Sequence, residues 1–549
     1  MKRVWKARGL VMVAALIAST TLAACSSDKS SSASGAKVDA SKLVSKMPEA
    51  KGNVDEIKWN VYGEPDTLDP RNAVNYGNGQ ITRNMCEGLM KVDADFNLSE
   101  NLASKYEQVS PTELKLSIRD GVKFWDGKPL TAEDVAYSLK RSAAEDSVVS
   151  FGFIFVKDIK VTGPMEVTVT FSRPDANFLS SLASLAGVVI EKSWGEKAGD
   201  TVGTPSGGLM CTGPYKFDSW NSGSGITIER NAAYWNPALK PRAKEIHFTF
   251  IADDTALAQA LDAGEIDGSY ELPPVTLAKL QKSKVGRVVF GPSTQSTAIS
   301  VATPDSPLAK DAKLRDAFQR SLNREAIAKV IFSGAAEPNY TELTPATWPN
   351  AERSLYRPAY DKWAKARSYD PEAAKKLVKE SNYQGTPLII AISAGDETAS
   401  RVAQLVQQQA KTIGIPVAIK TLQPLVYEQA SYDASKRVGI DLLYSSSFNS
   451  RQEPLEPLGY DLLPGQPYNY TNFNVPEVTK LLNDARSSFN PKERAQMILK
   501  AQEIYEPQTG TISLVSNNTA TFLNNRLTGA ITSFAYWSMP QMAYAGAAK

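Results

Sequence analysis

The chain has 549 residues, more than one hydrophobic core ordinarily supports, so two or three domains are expected. Apolar residues make up 42% and charged residues 22%, a globular composition, and 61 basic against 59 acidic side chains leave no electrostatic footprint for nucleic acid or an anionic membrane face. One histidine and three cysteines are too few for an ordinary zinc or nickel centre, so no metal or cofactor is expected.

Lys2, Arg3, Lys6 and Arg8 open the chain, and an apolar run from Leu10 to Ala18 follows. That run is well short of the roughly 20 residues a transmembrane helix needs. Leu22-Ala23-Ala24 then leads into Cys25. Small residues before a cysteine resemble the lipobox of bacterial lipoproteins. The resemblance implies a signal peptide over 1–24, diacylation of the Cys25 thiol, and a protein anchored to the cell membrane on its extracytoplasmic face. An ordinary secretory signal with a chance cysteine is the alternative, but the Ser-rich stretch Ser26 to Gly35 looks like a tether. Residues 25–53 read as a flexible linker, its last 28 residues reaching roughly 30 Å. Without the signal, 57 basic side chains face 59 acidic ones. With Cys25 lipidated, Cys86 and Cys211 form an even pair in an oxidising compartment, and a disulfide is expected. Closing so long a loop would contribute roughly 5 kcal/mol in the chain-entropy model. Two buried free thiols are the alternative.

The body opens with the strand-like alternation Ile57, Trp59, Val61, stopped at Pro65 and Pro70. Tyr76-Gly77-Asn78-Gly79 reads as a loop before a helix whose face carries Ile81, Met85 and Leu89. Leu114, Leu116 and Ile118 alternate as a strand, and Thr131-Ala132-Glu133-Asp134 is a capping-box start for a helix bearing Val135 and Leu139. Ile159 to Phe171 reads as a hairpin turned at Gly163-Pro164. Further on, Asp370-Pro371 caps a helix, and a strand (Leu388 to Ile392), a helix from Glu397 to Gly414 and a strand (Ile415 to Ile419) make a βαβ unit. The chain is therefore α/β with some antiparallel sheet.

Catalytic chemistry is scarce. His247, in Glu245-Ile246-His247-Phe248, lies on the strand face opposite Ile246 and Phe248, a structural position. No Gly-x-Ser-x-Gly elbow exists, and Ser206-Gly207-Gly208 lacks the Walker lysine. Glu133-Asp134 and Asp253-Asp254 sit where helix N-termini use carboxylates against the macrodipole. A glycosidase with two distant carboxylates stays open, but nothing selects such a pair. Binding chemistry is better represented. Phe448-Asn449-Ser450-Arg451 follows the strand Asp441 to Tyr444, at the carboxyl end where α/β sheets place ligands.

Four blocks resemble the extracytoplasmic solute-binding proteins of ABC importers, the peptide/nickel-binding group known as family 5. They are Glu64-Pro65-Asp66-Thr67-Leu68-Asp69-Pro70 with Glu87-Gly88-Leu89, Leu116 to Val135, Thr212-Gly213-Pro214-Tyr215 with Asn231 to Trp235, and Arg315-Asp316-Ala317-Phe318 with Asn323 to Ile327. The Leu116 to Val135 block matches the family signature nearly residue for residue. The resemblance implies a two-lobed, periplasmic-binding-protein-like (type II) fold with an extra inserted domain. Lobe I would take 54–88, 205–298 and 511–549, the inserted domain 89–204, and the second lobe 299–510. It also implies a monomer that closes on a ligand and docks on a membrane permease, with no bond made or broken.

Peptide-binding members carry a Trp followed by an Asp that pairs with the peptide's α-ammonium. Here Phe448 takes the Trp position if one residue is gapped, and the Asp position falls on Ser450 or Arg451, neither of them anionic. Arg451 would repel an ammonium if it faced the pocket, and Glu453 could substitute only after rearrangement. Tyr76, Asn78 and Phe151 fall near family pocket positions, so the expected ligand-binding set is Tyr76, Asn78, Phe151, Phe448, Asn449, Ser450 and Arg451. An oligopeptide leads as ligand, with a capped or anionic peptide, an oligosaccharide or another small polar solute open. An exported hydrolase on this scaffold and a surface receptor or adhesin without a transport partner are the rival functions.

Overall fold

The computed structural model describes residues 42–72 and 76–549, with Tyr76 described by its backbone alone. The signal peptide, Cys25 and most of the expected linker lie outside the described residues.

Three sheets organise the body. The first has seven strands in the order Gly286–Gly291, Thr519–Asn524, Gly268–Ser269, Val54–Asn60, Ala243–Thr249, Gly225–Arg230 and Tyr215–Asn221. At its centre Val54–Asn60 runs parallel to Ala243–Thr249 and to Gly268–Ser269. Ile57, Trp59 and Val61 are all buried, as their alternation requires. Gly268 makes room for this: a Cβ there would sit 2.3 Å from the Trp59 ring. His247 lies on the opposite strand face, its Nε2 3.6 Å from Glu56 and 3.5 Å from Glu245.

The second sheet orders its six strands as Ala336–Pro338, Thr511–Asn517, Ser296–Val301, Leu442–Ser447, Leu388–Ser393 and Val417–Leu422. Leu388–Ser393 pairs in parallel with Val417–Leu422 through the helix Glu397–Thr412, the expected βαβ unit. The third sheet is the antiparallel Ala103–Ser110, Glu113–Ile118, Glu166–Phe171 and Val156–Gly163. Beside it runs the helix Ala132–Ser142, whose capping box is formed as expected by Thr131 and Asp134.

The chain crosses between the first two sheets twice. Gly286–Gly291 continues through 292–295 into Ser296–Val301, and Thr511–Asn517 continues through Asn518 into Thr519–Asn524. Lobe boundaries at 298 and 511 therefore fall inside or at the start of second-sheet strands, and sheet membership moves the crossings to 292–295 and 518. Apolar packing follows this division in part, since a lobe I cluster around Leu261 and Phe522 also takes in Ala335, and Phe448 packs on the first core. One continuous core joins the first sheet to the inserted domain, with Ile57, Phe248 and Phe534 in contact with Leu116, Val135 and Val167 through shared neighbours. The second lobe keeps separate cores around Ile299, Phe318 and Ile390 and around Trp348, Leu482 and Tyr505.

Residues 44–52, expected as part of a flexible linker, are instead bonded to the body. Val44 N–H donates to Phe290 O at 2.9 Å, Met47 N–H to Ala530 O at 2.8 Å and Lys51 N–H to Ala547 O at 2.9 Å. Val44 is thus bound beside the first crossing and residues 45–52 to the C-terminal segment. Their polar sequence forms no apolar face because main-chain hydrogen bonds hold them in place.

Candidate functional site

Parallel strands leave unpaired backbone at their carboxyl ends, and open α/β sheets bind ligands there. In lobe I those ends lead into the turns holding Tyr62 and Asp66, Asp253 and Asp254, and Tyr270 and Glu271. In the second lobe they lead to Asp396, to the helix Pro424–Tyr432, and to Phe448 through Arg451. The two sets act on each other electrostatically. Burial first, then the charge of Asp396, raises Asp254 to about 6. Burial and Asp396 likewise raise the Tyr62 hydroxyl. Burial, with smaller contributions from Glu428 and from Asp66 of lobe I, raises Tyr432. The gap between the lobes is therefore bordered by carboxylates on both sides.

A run of aromatic rings leads from this region of the second lobe to the inserted domain. Tyr432, 49% exposed, lies 6.1 Å from Tyr468, which lies 5.9 Å from Tyr460, which lies 4.6 Å from Phe151. Near the crossing strands Tyr270 stacks on Tyr536 with centroids 3.8 Å apart, and Tyr536 donates its hydroxyl to Glu271 at 2.8 Å. Glu271 holds a left-handed backbone (φ 51°), uncommon for a side-chain-bearing residue, and burial raises its carboxyl to about 7.

The structure separates the expected ligand residues by role. Tyr76 begins the helix Tyr76–Met85, so Gly77 to Gly79 form its first turn and not a preceding loop. A Cβ at Gly79 would lie 2.3 Å from the Trp537 ring, which packs directly on that turn. Asn78 is fully buried and donates Nδ2 to Asp66 Oδ1 at 3.1 Å, fixing the loop that faces Tyr432. Phe151 packs between Tyr460 and the Arg486 guanidinium, where the inserted domain meets the second lobe.

Phe448 to Arg451 is a junction. Phe448 lies 5.3 Å from Phe534 and 5.1 Å from Trp537. Asn449 O accepts from Thr294 Oγ1, and Ser450 O accepts from Ser538 Oγ at 3.0 Å. Arg451 is buried, 2.5 Å from Glu456 and within 3.3 Å of Ser181 Oγ. Its charge is thus met by Glu456 and does not stand free to repel an ammonium. Glu453 caps the helix Leu455–Leu462, accepting from Leu455 N at 2.8 Å and Glu456 N at 3.0 Å, so it is no substitute anion for a ligand. A cavity of about 280 Å³ lies beside this junction, lined by Asn177, Ser180, Tyr356, Arg451, Glu453 and Arg494. A smaller one, about 180 Å³, surrounds Arg83 and Glu87 where lobe I meets Val92 and Asn101 of the inserted domain.

Arg71 is held by Asp69 at 3.6 Å and Asp146 at 3.3 Å, and Arg451 by Glu456. Asp254, Asp396 and Glu271 join no ion pair among the described residues. Among those residues no group of His, Cys, Asp and Glu is arranged to hold a metal, and no helix is long and apolar enough to cross a membrane. The Cys86 and Cys211 sulfurs are bonded, with Cα atoms 5.0 Å apart.

Residues 97–460 match the bacterial extracellular solute-binding proteins, family 5 Middle. The chain belongs to this family. The glutathione-binding protein GsiB of Salmonella typhi is 28% identical over 488 residues, covering 87% of this chain and 91% of the relative. Two solved structures share the fold. DppA from Helicobacter pylori, in complex with the peptide STSA, has a TM-score of 0.78 at 19% identity, covering 91% of this chain and 99% of the other. The oligopeptide-binding protein AppA from Bacillus subtilis, in complex with a nonapeptide, has a TM-score of 0.75 at 20% identity, covering 91% of this chain and all of the other. The family 5 protein is accordingly a solute-binding component for ABC import with the two-lobed α/β fold, and not an enzyme. That sets aside the hydrolase alternative.

Proposed function

We propose that this family 5 protein is a lipoprotein, tethered through Cys25 at the extracytoplasmic face of the membrane. It acts as a monomer that captures an oligopeptide or similar small polar solute between its lobes and delivers it to an ABC permease. We further propose that the solute presents a positively charged group to the gap. The observation behind this reading is the placement of Glu271 and Asp254 in lobe I, and of Asp396, which also caps the helix Glu397–Thr412, in the second lobe, at the carboxyl ends of parallel strands and with no ion pair among the described residues. Closing the lobes brings these like charges together, and a cationic group between them offsets the repulsion. Glu271 would then take the part for which Ser450 and Arg451 are unsuited.

Mass spectrometry of the small molecules that co-purify with the mature protein, followed by calorimetry, tests this reading. Lysine-containing tripeptides, neutral tripeptides, acidic tripeptides and reduced glutathione make the panel. The expected order places the lysine peptides about tenfold or more tighter than the acidic ones, a difference of about 1.4 kcal/mol. Glutathione or acidic peptides binding as tightly as the lysine peptides would remove the charge assignment. A co-purified sugar with no peptide binding would remove the peptide reading altogether.

A further inference from the structure

The contact between the inserted domain and the second lobe contains a buried ion pair. One apolar core joins the inserted domain to the central strands of lobe I, which ties the two together, while the second lobe carries cores of its own. Where the inserted domain touches the second lobe, Phe151 packs on Tyr460, and around that ring contact lies a set of charged and polar hydrogen bonds.

Arg486, in the last turn of the helix Pro476–Ser487, is their centre. Its Nε donates to Asp175 Oδ1 at 3.0 Å and its Nη2 to Asp175 Oδ2 at 2.8 Å. Nη1 also donates to Phe151 O and Nη2 to Gly152 O, both at 3.1 Å. The guanidinium also lies 5.2 Å from the Phe151 ring and 5.1 Å from the Phe155 ring. Every one of these partners belongs to the inserted domain. The two side chains are 4% and 0% exposed. Around them Ala176 N–H donates to Arg486 O at 2.8 Å, Arg173 pairs with Asp484 at 3.0 Å, and Asn177 Nδ2 donates to Glu453 Oε2 at 3.2 Å.

Rotation about the crossing segments 292–295 and 518 separates the two pieces and must break this set of bonds. We infer that the Arg486–Asp175 pair is a closure latch that sets ligand affinity from outside the ligand gap, through the population of closed protein. Its chemistry suits a contact that forms and breaks. An apolar face would be left wet and adhesive on opening, whereas these charges hydrate when separated and pair bidentately when joined. Ligand binds the closed form, so the apparent dissociation constant scales inversely with the closed fraction. The latch requires only the two-piece hinge and holds whatever the charge of the ligand.

Spin labels at the exposed Lys160→Cys and Lys492→Cys positions, in full-length protein carrying Cys25→Ala, report the separation of inserted domain and second lobe without added ligand. Asp175→Asn leaves the shape and removes the charge, stranding Arg486 if the seam stays closed. It is expected to raise the ratio of long to short distances about tenfold or more. Arg173→Gln, at the more exposed edge of the seam, is expected to shift the ratio the same way by a smaller factor and guards against a folding defect in the first variant. A ratio within about twofold of the parent protein for both variants, even with a lowered melting temperature, overturns the latch and leaves a merely structural pair.

Discussion

Glu271→Gln tests the electrostatics of the gap through stability alone. Burial raises the Glu271 carboxyl from its ordinary 4.5 to about 7. Between those two pH values the folded protein keeps a proton that the unfolded chain releases, so the group's contribution to stability falls as pH rises and is lost above about pH 7. At about 1.4 kcal/mol per pH interval the full change is about 3 kcal/mol. Glutamine has the same shape, still accepts from the Tyr536 hydroxyl and carries no charge. The variant should therefore match the parent near pH 4.5 and exceed it by about 3 kcal/mol near pH 8. Asp254 and the buried Glu342 and Asp461, also raised by burial, titrate in both proteins and largely cancel from the difference. Urea unfolding at successive pH values measures it. A gap between variant and parent that does not change with pH refutes the reasoning. Ligand adds a second reading, because a cation beside Glu271 lowers its pKa and binding then releases protons near neutral pH, visible as buffer-dependent heat.

Replacing Cys86 and Cys211 together by Ser should lower stability by about 2–5 kcal/mol in urea. The unreduced parent should show no reaction of these two sulfurs with a thiol probe after denaturation, and full reaction would contradict the bridge. Gly79→Ala forces the Trp537 ring off the first turn of the helix, costing about 1–3 kcal/mol by thermal melting and weakening ligand binding through the Phe448 contact. A melting temperature equal to the parent's would show that the ring has room to move. Cys25→Ala should appear in the soluble exported fraction with binding intact, and lost binding there would contradict a purely anchoring role.

Much of the fold is legible in the sequence because its cues are local. The Ile57-Trp59-Val61 alternation, the Thr131 capping box, the Asp370-Pro371 helix start and the βαβ unit each rest on residues within a few positions of one another. The misses rest on distant partners. Residues 45–52 are held by main-chain bonds to residues 530–547, and such bonds leave no side-chain pattern. The glycines before Ile81 look like a loop, although Gly79 is there to admit Trp537 from the far end of the chain. Glu271 follows a two-residue strand too short to show a period, so its place in the gap emerges only from topology. Arg451 looks like a free cation until the turn into the helix Leu455–Leu462 brings Glu456 back against it.

The bonds made by residues 44–52 also decide how force would enter the molecule. Val44 is tied to Phe290, next to the first crossing segment. Thr532, which donates its hydroxyl to Val44 O, accepts in turn from Thr519, the first residue after the second crossing. Chain arriving at Val44 thus joins the body at its fulcrum. A pull applied there has almost no lever arm on either lobe, so opening and closing would neither be resisted by a tether nor drag on it.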